Sequence, residues 1–110
     1  MQFDEYHEKA MKFAVYCDPL YPALGLAAES GEFLSKLSKV ARLYAVPNIW
    51  GTLTLPQRKE LVDELGDVLW MLTACAEHLN VSLDNIASSN LAKLTDRAAR
   101  GVICGTGDDR

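Results

Sequence analysis

A chain of 110 residues with 49% hydrophobic and 24% charged side chains has the composition of one folded globular domain and excludes a disordered polypeptide. Its net charge of -4 and pI near 5.0 exclude the concentrated basic surface that nucleic-acid phosphates require, and fit acids gathered around a cation. Cys17, Cys75 and Cys104 form no CxxC pair, no apolar run approaches the roughly 18 residues of a membrane helix, and the opening Met1-Gln2-Phe3-Asp4-Glu5 is acidic where a signal peptide is basic. These features predict a cytoplasmic protein with no membrane and no nucleic-acid partner.

The expected fold is all-α, a bundle of about four main helices. Phe3, Tyr6, Ala10, Phe13 and Cys17 fall at helical spacing and predict a first helix from about Phe3 to Tyr16. Asp18-Pro19 and Pro22 interrupt it, and Pro22 suits the first turn of a second helix running to about Tyr44. Ala45 to Leu55, with Pro47, Asn48 and Gly51, reads as a loop. Trp50 in it either docks on the core or stands ready to stack on a flat ligand.

Thr54 and Gln57 have the spacing of a capping box, with Pro56 in the first turn, and open a third helix that continues to about Leu79 and stops at Asn80. Its apolar residues spread beyond one stripe, which predicts a core completed by a second subunit. Ser82 is a good N-cap for a fourth helix ending near Arg100, with Gly101 in the favoured left-handed position. Residues 101–110 carry three glycines and no helical pattern, and form a tail to this single domain of residues 1–110.

The second and third helices share a pattern. A shift of 35 positions lays Leu26, Glu29, Gly31, Leu34, Leu37 and Ala41 on Leu61, Glu64, Gly66, Leu69, Leu72 and Ala76, with Glu32 on Asp67. At about 100° per residue, Leu26, Phe33, Leu37, Val40 and Tyr44 centre one apolar stripe, and Leu61, Val68, Leu72, Cys75 and Leu79 the other. In both helices the first acid lies roughly 60° from its stripe and the second roughly 120°, on the same side. Packing through the stripes brings Glu29, Glu32, Glu64 and Asp67 along one edge.

Two carboxylates about 5 Å apart repel by roughly 3 kcal/mol at an effective dielectric near 20, so four gathered acids take up protons or a cation. With no histidine or cysteine in either motif the donors are hard oxygens, which select Mg²⁺ or Mn²⁺ over zinc. Such a metal points to hydrolysis of a phosphate ester or anhydride. An ExxE pair on an arbitrary helix is usually just a solvated face; two pairs at the same angle to two stripes make the stronger case. His78 lies on the acid-bearing side of the third helix, about three turns on from Glu64, as an outer-site candidate. Asn90, Lys93, Arg97 and Arg100 share a face of the fourth helix. The cations there either complement the helix macrodipole or hold phosphates, and the tail either closes over phosphates or is a frayed end.

Three blocks, Gly25-Leu-Ala-Ala-Glu-Ser-Gly-Glu32, Asp63-Glu-Leu-Gly-Asp-Val-Leu-Trp70, and Asn90 to Gly101 with its Gly105-Thr-Gly-Asp108 continuation, carry a resemblance to a known family. Over nearly its whole length the chain resembles the MazG-like all-α nucleoside triphosphate pyrophosphohydrolases, a superfamily that includes dimeric dUTPases and dCTP pyrophosphatases. Two departures stand out: Ala28 replaces the first glutamate of the EExxE pattern, and the gap before ExxD is long. The resemblance implies a Mg²⁺-dependent enzyme, dimeric or tetrameric, that hydrolyses a nucleoside triphosphate to monophosphate and pyrophosphate in a house-cleaning role.

It implies Glu29, Glu32, Glu64 and Asp67 as metal ligands and catalytic groups, with Glu29 or Glu32 as base. Lys93, Arg97, Arg100 and, from the tail, Arg110 fall at phosphate-binding positions. Phe3, Tyr6, Trp50 and Asn90 are the candidates for the nucleoside. The alternative is a helical nucleotide-binding or antitoxin-like regulatory module that keeps the fold without catalysis.

Overall fold

The computed structural model describes residues 1–43 and 48–110. Among them are five helices and no strand: α1 (Phe3–Met11), α2 (Tyr21–Leu43), α3 (Ile49–Thr52), α4 (Leu55–His78) and α5 (Leu83–Ala99). The all-α expectation holds, and the third and fourth helices foreseen in the sequence are α4 and α5.

Local chemistry sets most of the boundaries. At the start of α4, Thr54 accepts from the Gln57 N–H while the Gln57 side chain accepts from the Thr54 N–H, so both halves of the capping box form. The helix closes where Asn80 takes a positive φ of 56°, with Asn80 N–H bonded to Glu77 O and Val81 N–H to Ala76 O. That pair of bonds is a Schellman motif, and α5 ends in the same way on Gly101, at φ 70°. Ser82 caps α5 by accepting from Asn85 N–H.

Two elements differ from the sequence expectation. Helix α1 ends at Met11, well short of Tyr16, and the freed segment turns Tyr16 onto α4. There its hydroxyl bonds His78 Nε2 at 2.7 Å and its ring meets the edge of Trp70. Trp70 in turn donates its indole N–H to the Ala10 carbonyl at 3.1 Å, a carbonyl that also accepts from the Phe13 N–H in the turn that ends α1. Tertiary hydrogen bonds thus outweigh the apolar spacing that suggested a longer helix. The expected 45–55 loop contains the short helix α3, with Trp50 on it; Tyr44, Ala45, Val46 and Pro47 lie outside the described residues.

Helices α2 and α4 form the main packed pair. Gly25 lies against Met71 near one end, Lys36 pairs with Glu64 further along, and Val40 and Leu43 share a cleft with Gln57 and Leu61 at the other end, so the two run antiparallel. Gly25 gives room to Met71: a methyl group there would overlap the Met71 sulfur, and that side chain would have to swing aside. Leu61, Met71, Ala74 and Ala76 of α4 and Val40 of α2 are buried, with Leu26, Phe33, Leu37, Val68 and Leu72 half-buried around them. Leu79, expected in the α4 stripe, lies beyond the helix end and is exposed. Helix α1 bridges this pair to α5, tied to α4 by His7 Nε2 and Glu77 Oε2 at 2.7 Å.

Candidate metal centre

The shared angle of the two acidic motifs becomes a spatial cluster. Glu29 of α2 and Glu64 and Asp67 of α4 each bring a carboxylate oxygen to within 4.8 Å of the others. Glu29 and Glu64 are half-buried and Asp67 is exposed. Glu32 stands outside this group on the solvent side, so three of the four expected acids meet and the fourth flanks them. The Glu29 carboxyl is pushed above its usual range, first by burial and then by the charges of Asp67, Glu64 and Glu32.

One cation enters the cluster that the sequence reading did not single out. Lys36 Nζ lies 2.5 Å from Glu64 Oε1, and this bond raises the lysine above its ordinary value. Its signal was available: Lys36 follows Glu32 by four residues and Glu29 by seven, which places it on the acid-bearing face.

The proposed nucleoside contacts divide. Tyr6 of α1 is beside the cluster, its phenol raised by burial and by the Asp67 charge. Phe3, one turn earlier, is half exposed. Trp50 stacks on Phe33 with ring centroids 6.5 Å apart and planes at 29°, yet stays 55% exposed. The ring therefore docks and keeps an open face. Phe33, Trp50, Leu53, Arg58, Val62 and Leu65 surround a cavity of about 200 Å³ there.

Helix α5 carries a separate group whose main contact is with α1. Asn90 and Lys93 line a groove of about 420 Å³ with Asn85, Ile86 and Ser89. Arg97 is buried, 4% exposed, and donates from Nη2 to Asp108 O at 2.8 Å and Asp108 Oδ1 at 3.1 Å; its Nε has no partner among the described residues. Lys93 Nζ lies 3.6 Å from the same Asp108 carboxylate. Arg100 bonds Asp96 and the Arg110 carbonyl, while the Arg110 guanidinium donates to Val102 O and Gly107 O in its own tail. The tail is thus folded back on α5, and its own acceptors occupy the cations expected to hold phosphates. His78 is engaged by Tyr16 and serves to seat that loop.

With this geometry in hand, the chain can be set beside known proteins. The MazG nucleotide pyrophosphohydrolase domain matches residues 20–102, three quarters of the sequence. The chain belongs to the MazG family. It is also 37% identical over 119 aligned residues to the Gene 37 protein of Mycobacterium phage L5, covering 100% of both chains. No solved structure matches it.

The MazG match takes in both acidic motifs, Lys36, Trp50 and all of α5. It leaves out α1, with Phe3 and Tyr6, and the tail beyond 102, with Asp108 and Arg110. The donor set of the MazG domain suits a hard divalent cation: three carboxylates converge, one of them with its proton held more tightly by burial and then by the neighbouring acids.

Proposed function

We propose that the chain is a Mg²⁺- or Mn²⁺-dependent pyrophosphohydrolase that converts a deoxynucleoside triphosphate and water to the monophosphate and pyrophosphate, in a cytoplasmic house-cleaning role. The convergence of Glu29, Glu64 and Asp67 inside a MazG domain carries this reading.

Glu29, Glu64 and Asp67 would hold the ion, which when bound supplies polarisation of phosphate oxygens and a water of lowered pKa. Glu32, outside that group and open to solvent, takes the proton of the attacking water. Bond formation to the α-phosphorus then breaks the α–β anhydride link. Lys93 and Arg100 face solvent and, on leaving Asp108, Asp96 and the Arg110 carbonyl, neutralise the phosphates. Arg97 and Arg110 shape that surface by holding the tail. The open face of Trp50, with Tyr6, Phe3 and Asn90, contacts the nucleoside.

A homo-oligomer, dimer or tetramer, completes the core in this reading. The Cα radius of gyration is 16.9 Å, where a compact chain of this length has about 13 Å. Leu34, Leu55, Val62 and Leu65 of the α2/α4 pair stay exposed. The test is a panel of triphosphates with Mg²⁺, followed for monophosphate and pyrophosphate. Release from at least one deoxynucleotide is the expected result, and silence across the panel from folded, metal-binding protein overturns the reading.

A further inference from the structure

The Lys36 ion pair is not accounted for by the ligand set. Its ammonium sits 2.5 Å from Oε1 of Glu64, one of the three carboxylates that converge for a dication, with the lysine side chain 30% exposed and the glutamate 13%. Beside it, between the C-terminal half of α2 and the first turns of α4, a cleft of about 160 Å³ is lined by Lys36, Lys39, Gln57 and Glu60 over a floor of Val40 and Leu61. At roughly 30 Å³ per molecule that is space for about five waters. Every titratable group facing Lys36 is identifiable: Glu64, Glu60 and Glu32 as acids, with Lys39 sharing the cleft.

We propose that Lys36 is a transferable counter-ion: it neutralises Glu64 until a divalent cation takes that carboxylate, and then turns into the cleft, where with Lys39 and Gln57 it binds the pyrophosphate end of the substrate. The proposal rests on the pyrophosphohydrolase reading for its ligand, but its electrostatics do not. A dication on the half-buried Glu64 carboxylate draws off its negative charge and repels the adjacent ammonium, and so favours its departure. The four-carbon stem lets the charge move without moving the helix. Within the cleft, Glu60 alone cannot compensate two lysines, and a polyanion does so, with the Gln57 amide as a further donor.

Metal and pyrophosphate then bind cooperatively, because the same lysine opposes the first and favours the second. Linkage makes this coupling reciprocal.

Two variants test it, Lys36→Met and Lys36→Gln, with helical circular dichroism as the control for folding. Mn²⁺ titration without nucleotide should show both binding the ion roughly 5-fold or more tightly than wild type, because the competing charge is gone. At saturating Mn²⁺, binding of pyrophosphate should weaken by roughly 10-fold in both variants and by less in Lys39→Met. Unchanged or weaker Mn²⁺ affinity overturns the counter-ion role, and unchanged pyrophosphate affinity overturns the transfer. Neither measurement requires turnover, so a wild-type protein that hydrolyses no triphosphate would sink the function while leaving this result standing.

Discussion

The acid cluster on α2 and α4 and the cation stripe on α5 are both groups of like charge, and the fold treats them oppositely. On α5 each cation is matched from within: Lys93 and Arg97 by Asp108, Arg100 by Asp96 and a tail carbonyl. At the cluster one lysine pairs with Glu64, and the Glu29 carboxyl is raised by burial and then by the charges of Asp67, Glu64 and Glu32. Unbalanced charge in a partly buried place costs stability unless a ligand supplies the missing sign. The comparison therefore supports the proposed binding of a cation at the cluster, and gives the buried end of the stripe a structural task.

The sharpest break of that comparison is Glu64→Gln. It removes one of three converging ligands and the anchor of Lys36 while keeping the shape of the side chain. Turnover should fall by roughly 100-fold or more, with helical circular dichroism unchanged. Loss of helix instead would mean that the acid belongs to the structural class, like the α5 pairs. The reverse result is expected at Arg97→Met. A 4% exposed guanidinium with two bonds to the tail is deleted, and urea denaturation should show a loss of about 3 kcal/mol.

The two regions were not equally legible in the sequence. Helix ends with their own chemistry could be read directly: the Thr54 box, the Asn80 and Gly101 stops, and the Ser82 cap all involve partners within five residues. The cluster was legible because helical periodicity fixes angles, and two helices packed through known stripes fix which angles meet. The limits of that reasoning show at Glu32, which stands outside the group while Asp67, at the same roughly 120° from its own stripe, lies within it. Periodicity also could not show that Lys36 would choose Glu64 on α4 over Glu32 on its own helix, since that depends on the axial register of the pair. The Arg97–Asp108 tie and the Tyr16 turn depend on loops doubling back, for which no repeat in the sequence gives a distance.

A smaller effect distinguishes cost from function within the cluster. Because the Glu29 pKa is raised in the fold, the folded state holds its proton more tightly than the unfolded chain. Stability in metal-free buffer should therefore decline as pH climbs from the ordinary carboxyl value of 4.5 through the folded value, and the full penalty stands above that. Glu29→Gln removes the penalty. At pH 7 without metal its melting temperature should rise by about 3 °C while activity is lost. With Mg²⁺ added, wild type should gain and the variant should not, so the order of the two melting temperatures closes or inverts. A variant less stable than wild type in metal-free buffer would show that the acids are compensated after all.

The least effect is expected at Asp108→Asn, for a reason that sharpens what is meant by a paired group. The Asp108 side chain is 87% exposed, so its ion pairs with Lys93 and Arg97 lie in a well-screened setting and resemble surface salt bridges. Its carboxyl is held below the usual range, chiefly by the Arg97 hydrogen bond and then by Lys93. A depressed acid contributes stability above its unfolded value, and that contribution is lost as pH falls from the ordinary 3.8 through the lower folded value. Yet the buried Arg97 keeps a 2.8 Å bond to the main-chain carbonyl of residue 108, which no side-chain change removes. Asp108→Asn should accordingly leave the melting temperature at pH 7 within about 1 °C of wild type. Amide exchange in residues 101–110 should quicken, as it should in wild type taken below pH 3.8. High salt should reproduce part of the effect in wild type and add little in the variant. If the tail instead exchanged at the wild-type rate in the variant, the main-chain bond alone would hold it, and the α5 stripe would have cationic charge to spare for an external anion.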